Sequence, residues 1–173
     1  MSLEQDLFDQ RFARIREIEA LGFRAYGQRF EFSHTIAAIL AEYSSKTGEE
    51  LEAARVTVKI AGRIQTVRRM GKAGFTHLQQ AGERLQAYIK KDAVSEAEYS
   101  LWQLLDLGDV VGVEGYLFRT RTGELSVHAE HLTFLSKNLL GVPEKYHGLE
   151  DVEIRYRQRY LDLIANPDVH KTF

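Results

Sequence analysis

The pattern of apolar and polar positions divides the chain into a helical beginning and a stranded middle. Phe8, Phe12, Ile15, Ile18 and Leu21 recur at intervals of four and three residues, with Gln10, Arg14 and Glu17 off that stripe. This predicts an amphipathic helix that turns one apolar face inward and ends at Gly22. A second, short helix is predicted from about Thr35 to Tyr43, with Ser33 as its N-cap and Ile36, Ile39 and Leu40 facing inward. Residues 44–48 read as a loop and 49–54 as a polar approach to the next element.

At Val56 the period changes to two. Val56, Val58, Ile60 and Ile64 alternate with Thr57, Lys59, Ala61 and Arg63, the signature of a half-buried strand that Gly62 interrupts as a bulge or bend. Glycines at 71 and 74 predict a hairpin, followed by a second strand at 75–79. A third strand at 84–90 points Leu85, Ala87 and Ile89 one way and Arg84, Gln86 and Tyr88 the other. Ser95 with Glu98 forms a capping box for a helix whose inward residues are Tyr99, Trp102 and Leu105, ended by Gly108. A fourth strand, 109–120, carries Gly112 and Gly115 as bend points, and a fifth alternates Leu125, Val127 and Ala129 with Glu124, Ser126 and His128.

Three strands, a helix and two strands is the order of a five-stranded Greek-key OB-fold barrel, here preceded by a helical extension, so the fold class is mainly β with helices (α+β). An SH3-like barrel is the runner-up and usually lacks a helix between its third and fourth strands. The expected division is a helical extension over 1–54, the barrel over 55–136, and a linker with a helix over 137–173. Pro143 and Pro167, with Gly141 and Gly148, mark that linker, and the helix runs from about Glu150 to Ala165 with Ile154, Leu161 and Ile164 inward. The close at Lys171-Thr172-Phe173 has no terminating pattern and reads as cut from something longer.

Composition narrows the function classes. The chain has 173 residues and no cysteine, which excludes a disulfide scaffold, a thiolate nucleophile and a cysteine-based metal site. It has neither a signal-peptide pattern at its acidic start nor an apolar run long enough for a membrane helix, so a cytoplasmic protein without membrane contact is expected. The net charge of −2 hides an asymmetry: residues 1–54 sum to −4, residues 55–91 to +8, and residues 92–173 to −6. A basic island inside an acidic chain is the footprint of a surface that meets phosphates; a solvated basic strand face is the other reading.

The island coincides with strands whose outward positions are aromatic and amide. Phe75 and His77 point outward from strand two, and Arg84, Gln86 and Tyr88 from strand three. Exposed rings among cations and amides form a stacking surface for unpaired bases. On the alternative reading Phe75 covers a barrel end and Tyr88 is ordinary strand surface. Arg68 falls on the core-facing parity of Val56 and Ile64, so either a bulge near Gly62 flips the register or Arg68 lies beyond the strand. Gly71-Lys72 lacks the spacing of a phosphate-binding loop, and His128 and His131 lie on a strand-to-loop stretch facing different sides, so no metal site is expected. No catalytic constellation is visible.

Four stretches resemble a known family: Val58 to Gly62 leading to RRMGKAGFTHLQ (68–79), DLGDVVGVEGYLFRTRTGELSVHAEHL (106–132), KYHGL (145–149) and RYRQRYLDLIANPD (155–168). They are similar to the N-terminal region of bacterial class II lysyl-tRNA synthetases, over essentially the whole chain. The resemblance implies an anticodon-binding OB domain with tRNA(Lys) as partner. Phe75 would stack on the central anticodon uridine, Arg68 would place a cation at that base, Gln86 would read a base edge, and Glu124 would contact an anticodon base. Arg63, Arg69, Lys72, His77, Arg84 and Tyr88 are further candidate contacts, and the resemblance assigns no role to His77.

The resemblance also implies a full-length lysine–tRNA ligase that uses ATP and Mg²⁺, joins this region to its own catalytic domain and forms a homodimer. The class II motifs lie beyond Phe173 in that family, so this stretch is expected to bind tRNA without cofactor and without aminoacylating it. An aspartyl- or asparaginyl-type anticodon domain, or a sequence-tolerant single-strand-binding OB module, are the alternatives.

Overall fold

A computed structural model describes residues 3–26, 29–141 and 152–166, together with Val169 and Thr172. Six helices and five strands are found among them, in the order α1 (Leu3–Ala20), α2 (Ile36–Tyr43), α3 (Gly48–Ala54), β1 (Thr57–Met70), β2 (Ala73–Gln80), β3 (Glu83–Lys90), α4 (Glu96–Leu104), β4 (Val110–Arg119), β5 (Leu125–Ser136), α5 (Val152–Arg157) and α6 (Arg159–Ala165). The strands close into a barrel in the order β1-β2-β3-β5-β4, with β3 and β5 parallel and every other pair antiparallel. This is the Greek-key OB architecture the element order predicts.

Alternation fills the interior. Val58, Ile60, Ile64, Leu78, Ala87, Ile89, Val113, Leu117, Val127 and Phe134 are all buried. Helix α4 covers the barrel's open end with Leu101 and Trp102, both fully buried, and α2 contributes Ile36 and Ile39 to the same continuous core. The β2–β3 hairpin turns on Ala81 and Gly82, whose φ values of 49° and 88° are the paired left-handed conformations of a type I′ turn.

Several elements differ from the sequence reading. The cap of α2 is Thr35, whose side chain accepts from the Ala38 N–H; Ser33 instead bonds to the backbone of Lys59. Residues 48–54 form a helix, started by a complete capping box of Thr47 and Glu50. On α1 the stripe is rotated: Ile18 is buried, but Phe12 is half exposed and stacks on Phe8 at 5.9 Å. Arg11 turns inward instead, donating to the carbonyls of Asn138 and Leu140. The tail helix breaks at Gln158, where φ −119° and ψ 57° leave helical space. Its buried residue is Asp162, held by Arg155, Arg159 and Asn166, while Leu161 and Ile164 are half-buried. Pro143, Gly148, the 145–149 stretch and Pro167, and the side chain of Ile154, lie outside the described residues. No helix among the described residues is long and apolar enough to cross a membrane.

Charges seal the end of the barrel next to α1. The side chain of Lys137 is wholly buried, with Nζ 2.6 Å from Asp106 and 2.8 Å from Asp109. Asp109, also buried, accepts from the N–H groups of Asp106 and Asn138, and Asp106 pairs with Arg14 of α1. Burial pushes the Asp109 carboxyl up against the pull of Lys137; Asp106 is desolvated too, but Arg14 and Lys137 hold it below its ordinary value.

Glu98 supports a pH prediction. Burial alone would raise its carboxyl, but hydrogen bonds from Ser95 and the Leu132 N–H, with the charge of His131, hold it below its ordinary value of 4.5. A carboxylate with a depressed folded pKa contributes stability above its unfolded pKa and loses it as pH falls through the folded one. Glu98→Gln is therefore expected to cost about 0.5–2 kcal/mol at pH 7, the range of a helix cap. That difference should shrink in urea titrations as the pH is lowered below about 4.5. A pH-independent difference would contradict the charge-based account.

Candidate nucleic-acid interface

The interface begins with a bulge. β1 pairs Ile64 with Leu78 and then Thr66 with His77, leaving Gln65 as the extra residue. Before it the even-numbered residues face the core; after it Thr66 and Arg68 face out. Arg68 lies within the strand, exposed and directly opposite Phe75. The flip sits three residues after Gly62, which stays in register opposite Val111.

From Arg68 the pairing continues round the barrel. Phe75 faces Tyr88, Tyr88 faces His128 and His128 faces Tyr116, so one cross-strand row draws on β1, β2, β3, β5 and β4. The rings touch along it: Phe75–Tyr88 centroids lie 4.8 Å apart, Tyr88–His128 5.3 Å, and His128–Tyr116 4.8 Å with planes 9° from parallel. Phe118 packs at 6.0 Å on Tyr88, and the Arg55 guanidinium ends the row 4.4 Å above Tyr116. Burial holds His128 below the ordinary histidine value, which favours a neutral ring among its aromatic neighbours. Beside Phe75 opens an apolar cleft of about 330 Å³, lined by Met70, Ala73, Tyr88, Phe118, Thr120 and Arg121. A second cleft, between α3 and β4, is lined by Glu52 and by Arg119, whose guanidinium already donates to the carbonyls of Ser44, Lys46 and Gly123.

One step along the strands lies a polar row. His77 is opposite Thr66 and Gln86, and Gln86 is opposite Ser126. Glu124, leaving the β4–β5 turn, sets one carboxylate oxygen 2.9 Å from His77 Nε2 and the other 2.8 Å from Gln86 Nε2. Gln86 Oε1 accepts from the Ser126 hydroxyl. Gln86 is therefore not the open amide that alternation predicts: it is 3% exposed, beneath Glu124, which keeps nearly half of its side-chain surface in solvent.

The other candidates separate in the same way. Lys72 and Arg84 are exposed, and Tyr88 belongs to the aromatic row. Arg69 is engaged elsewhere, donating to the carbonyls of Trp102 and Leu105 at the end of α4 and lying over the Trp102 ring, and Arg63 donates to the Gly108 carbonyl. Both serve the fold on the geometry seen. Tyr116, Phe118, Met70 and Arg121, which the sequence reading does not name, complete the surface, and His128, considered there only as a metal ligand, belongs to the aromatic row. The alternation of Tyr116 and Phe118 about buried Leu117 was the available signal for two of them.

The OB-fold nucleic acid binding domain of the tRNA anticodon type matches residues 58–135. Lysine–tRNA ligase of Listeria welshimeri is 48% identical over 172 residues, covering 98% of this chain and 34% of that protein. The enzyme of Streptococcus suis is 48% identical with 98% and 35% covered, and that of Halalkalibacterium halodurans 46% identical with 97% and 34% covered. The chain thus spans about a third of the length of these relatives. Residues 58–135 thus form an OB-fold nucleic acid binding domain, closed as a barrel with an aromatic outer row, and almost the whole chain is similar to about a third of the bacterial lysyl-tRNA synthetases.

Proposed function

We propose that the barrel binds the anticodon loop of tRNA(Lys), within a longer protein that joins lysine to that tRNA. The observation that carries this reading is the continuous row of paired rings from Phe75 to Tyr116, bordered by the cation Arg68 and the carboxylate Glu124. Unpaired bases stack on such rings whatever their identity, while hydrogen-bonding groups at the border discriminate among them. In this reading Phe75 takes the central uridine, Arg68 lies at the same base, and Glu124, held from beneath by the buried Gln86, reads an edge. Lys72 and Arg84 supply backbone electrostatics.

The division into a helical extension (1–54), a binding barrel (55–136) and a connecting tail (137–173) belongs to the same proposal, as do the catalytic domain, the homodimer and the cytoplasmic setting. Lysine activation with ATP and Mg²⁺ belongs to the remaining two thirds of such a protein; among the described residues no group of three or more His, Asp or Glu is placed to hold a metal ion. Similarity of 46–48% to lysine–tRNA ligases over almost the whole chain weighs against the aspartyl or asparaginyl branch.

Fluorescence anisotropy with a lysine-tRNA anticodon stem-loop, against one whose central uridine is replaced, tests the reading across a salt series. Phe75→Ala is expected to weaken binding by about 1–3 kcal/mol, and the base replacement to do the same. Equal binding of both stem-loops, falling only with salt, would reduce the barrel to a sequence-tolerant single-strand platform.

A further inference from the structure

We propose that His77 is a positioning residue, which fixes the Glu124 carboxylate as an acceptor for a base that presents an N–H edge. The inference rests on the anticodon reading above and deepens it by naming the feature of the base that is read. The Thr66 hydroxyl accepts from the His77 backbone N–H at 3.2 Å and lies 2.8 Å from His77 Nδ1. A hydroxyl has one proton, and with its oxygen already accepting from the backbone, that proton is free to go to Nδ1. Nδ1 is then the acceptor and the proton of the neutral ring sits on Nε2, aimed at Glu124 Oε1 at 2.9 Å.

The other Glu124 oxygen is held by Gln86, whose own carbonyl is held by Ser126. Gln86, whose amide has a second N–H, is only 3% exposed, so the group this network turns to solvent is the Glu124 carboxylate. The carboxylate retains unused lone pairs and is well exposed beside the aromatic row. A base seated on that row meets an acceptor at this border: an imino or amino N–H is favoured, and a base that turns a carbonyl or a methyl group there is rejected. Two fixed hydrogen bonds remove the rotational freedom a lone exposed glutamate would have to give up on binding.

The test uses the 173-residue chain and the lysine-tRNA anticodon stem-loop, with one uridine at a time methylated at N3 so that its N–H is lost. Wild-type protein is expected to bind one of these methylated loops about tenfold or more weakly, the size of a hydrogen bond to a charged group. His77→Phe removes the donor and keeps a ring, and should shrink that ratio to below about threefold while stacking affinity persists. His77→Gln, whose amide N–H reaches a similar place, should restore the ratio. His77→Phe combined with Glu124→Gln should discriminate no worse than Glu124→Gln alone, because the two act as one unit. A long-range ¹H–¹⁵N spectrum of the histidine rings reads the tautomer in the wild type without any substitution. A proton on Nδ1 of neutral His77, or an undiminished ratio in His77→Phe, overturns this proposal alone; failure of the wild type to bind any of the loops overturns the anticodon reading with it.

Discussion

Lys137→Met is expected to lower the unfolding free energy by about 3–5 kcal/mol, the cost of removing one partner from a buried ion pair. Methionine fits the volume, so the loss is electrostatic rather than steric. Asp109, completely buried, would keep only the N–H donors of Asp106 and Asn138 against its charge, and Asp106 would keep Arg14. Asp109 is already pushed up by burial, and without Lys137 only those two N–H donors oppose that push. A carboxyl with a raised folded pKa favours the folded state at low pH, so the deficit of the variant should shrink as the solution is acidified. Adding Asp109→Asn should recover part of the loss, and only part, because an amide nitrogen cannot accept from the Asp106 N–H. Chemical denaturation of the single and double variants between neutral and mildly acid pH checks both statements; a deficit that grows on acidification would show that Lys137 is not acting as the counter-ion.

Gly115→Ala carries the second large effect, and it joins stability to the site. Gly115 follows a bulge where Glu114 pairs with His131 and Gly115 with Ala129, skipping Glu130. A methyl group at Gly115 collides with the carbonyl oxygen of His128 and comes within 2.8 Å of the carbonyl carbon. Backbone cannot yield as a side chain does, so β4 and β5 must part at the residues that carry Tyr116 and His128. The expected cost is about 1–3 kcal/mol, the range for overpacking, with a matching loss of stem-loop affinity at temperatures where the protein remains folded. Gly48→Ala is the control: its methyl makes ordinary contact with Arg119 Cβ at 3.6 Å, and binding should not change.

How far the sequence disclosed this molecule varied with the range of the forces involved. Strand alternation, the Ser95–Glu98 capping box and the glycine-bearing hairpins are local and were legible, and together they sufficed for the barrel. Helix α3 is equally local, announced by Thr47 and Glu50, but its stretch is polar and carries no apolar stripe to mark it. The Gln65 bulge was not legible in place: glutamine has no bulge signature, and the register depends on what β2 offers opposite. Arg11 turns inward to carbonyls more than 120 residues away, a pairing no helical periodicity contains. At the site, Phe75 lies on the outward parity that alternation predicts, and Arg68 joins it through the bulge rather than by lying beyond the strand. The covering of Gln86 and the engagement of Arg69 follow from side chains brought together only by closure.

The order in which the row's residues are synthesised has a kinetic consequence. Arg68, Phe75 and Tyr88 sit on a meander of neighbouring strands that can form early and locally, whereas β3 meets β5 across an intervening helix and strand, and β1 meets β4 across some fifty residues. Such distant pairings close slowly because the loop entropy is lost before any contact repays it. A nascent chain that has emerged only as far as Lys90 therefore carries Phe75 and Tyr88 without the ring of His128 or the Glu124 carboxylate. On the proposed reading the acceptor arrives only with the last strand, so the barrel must close before a base can be read against Glu124.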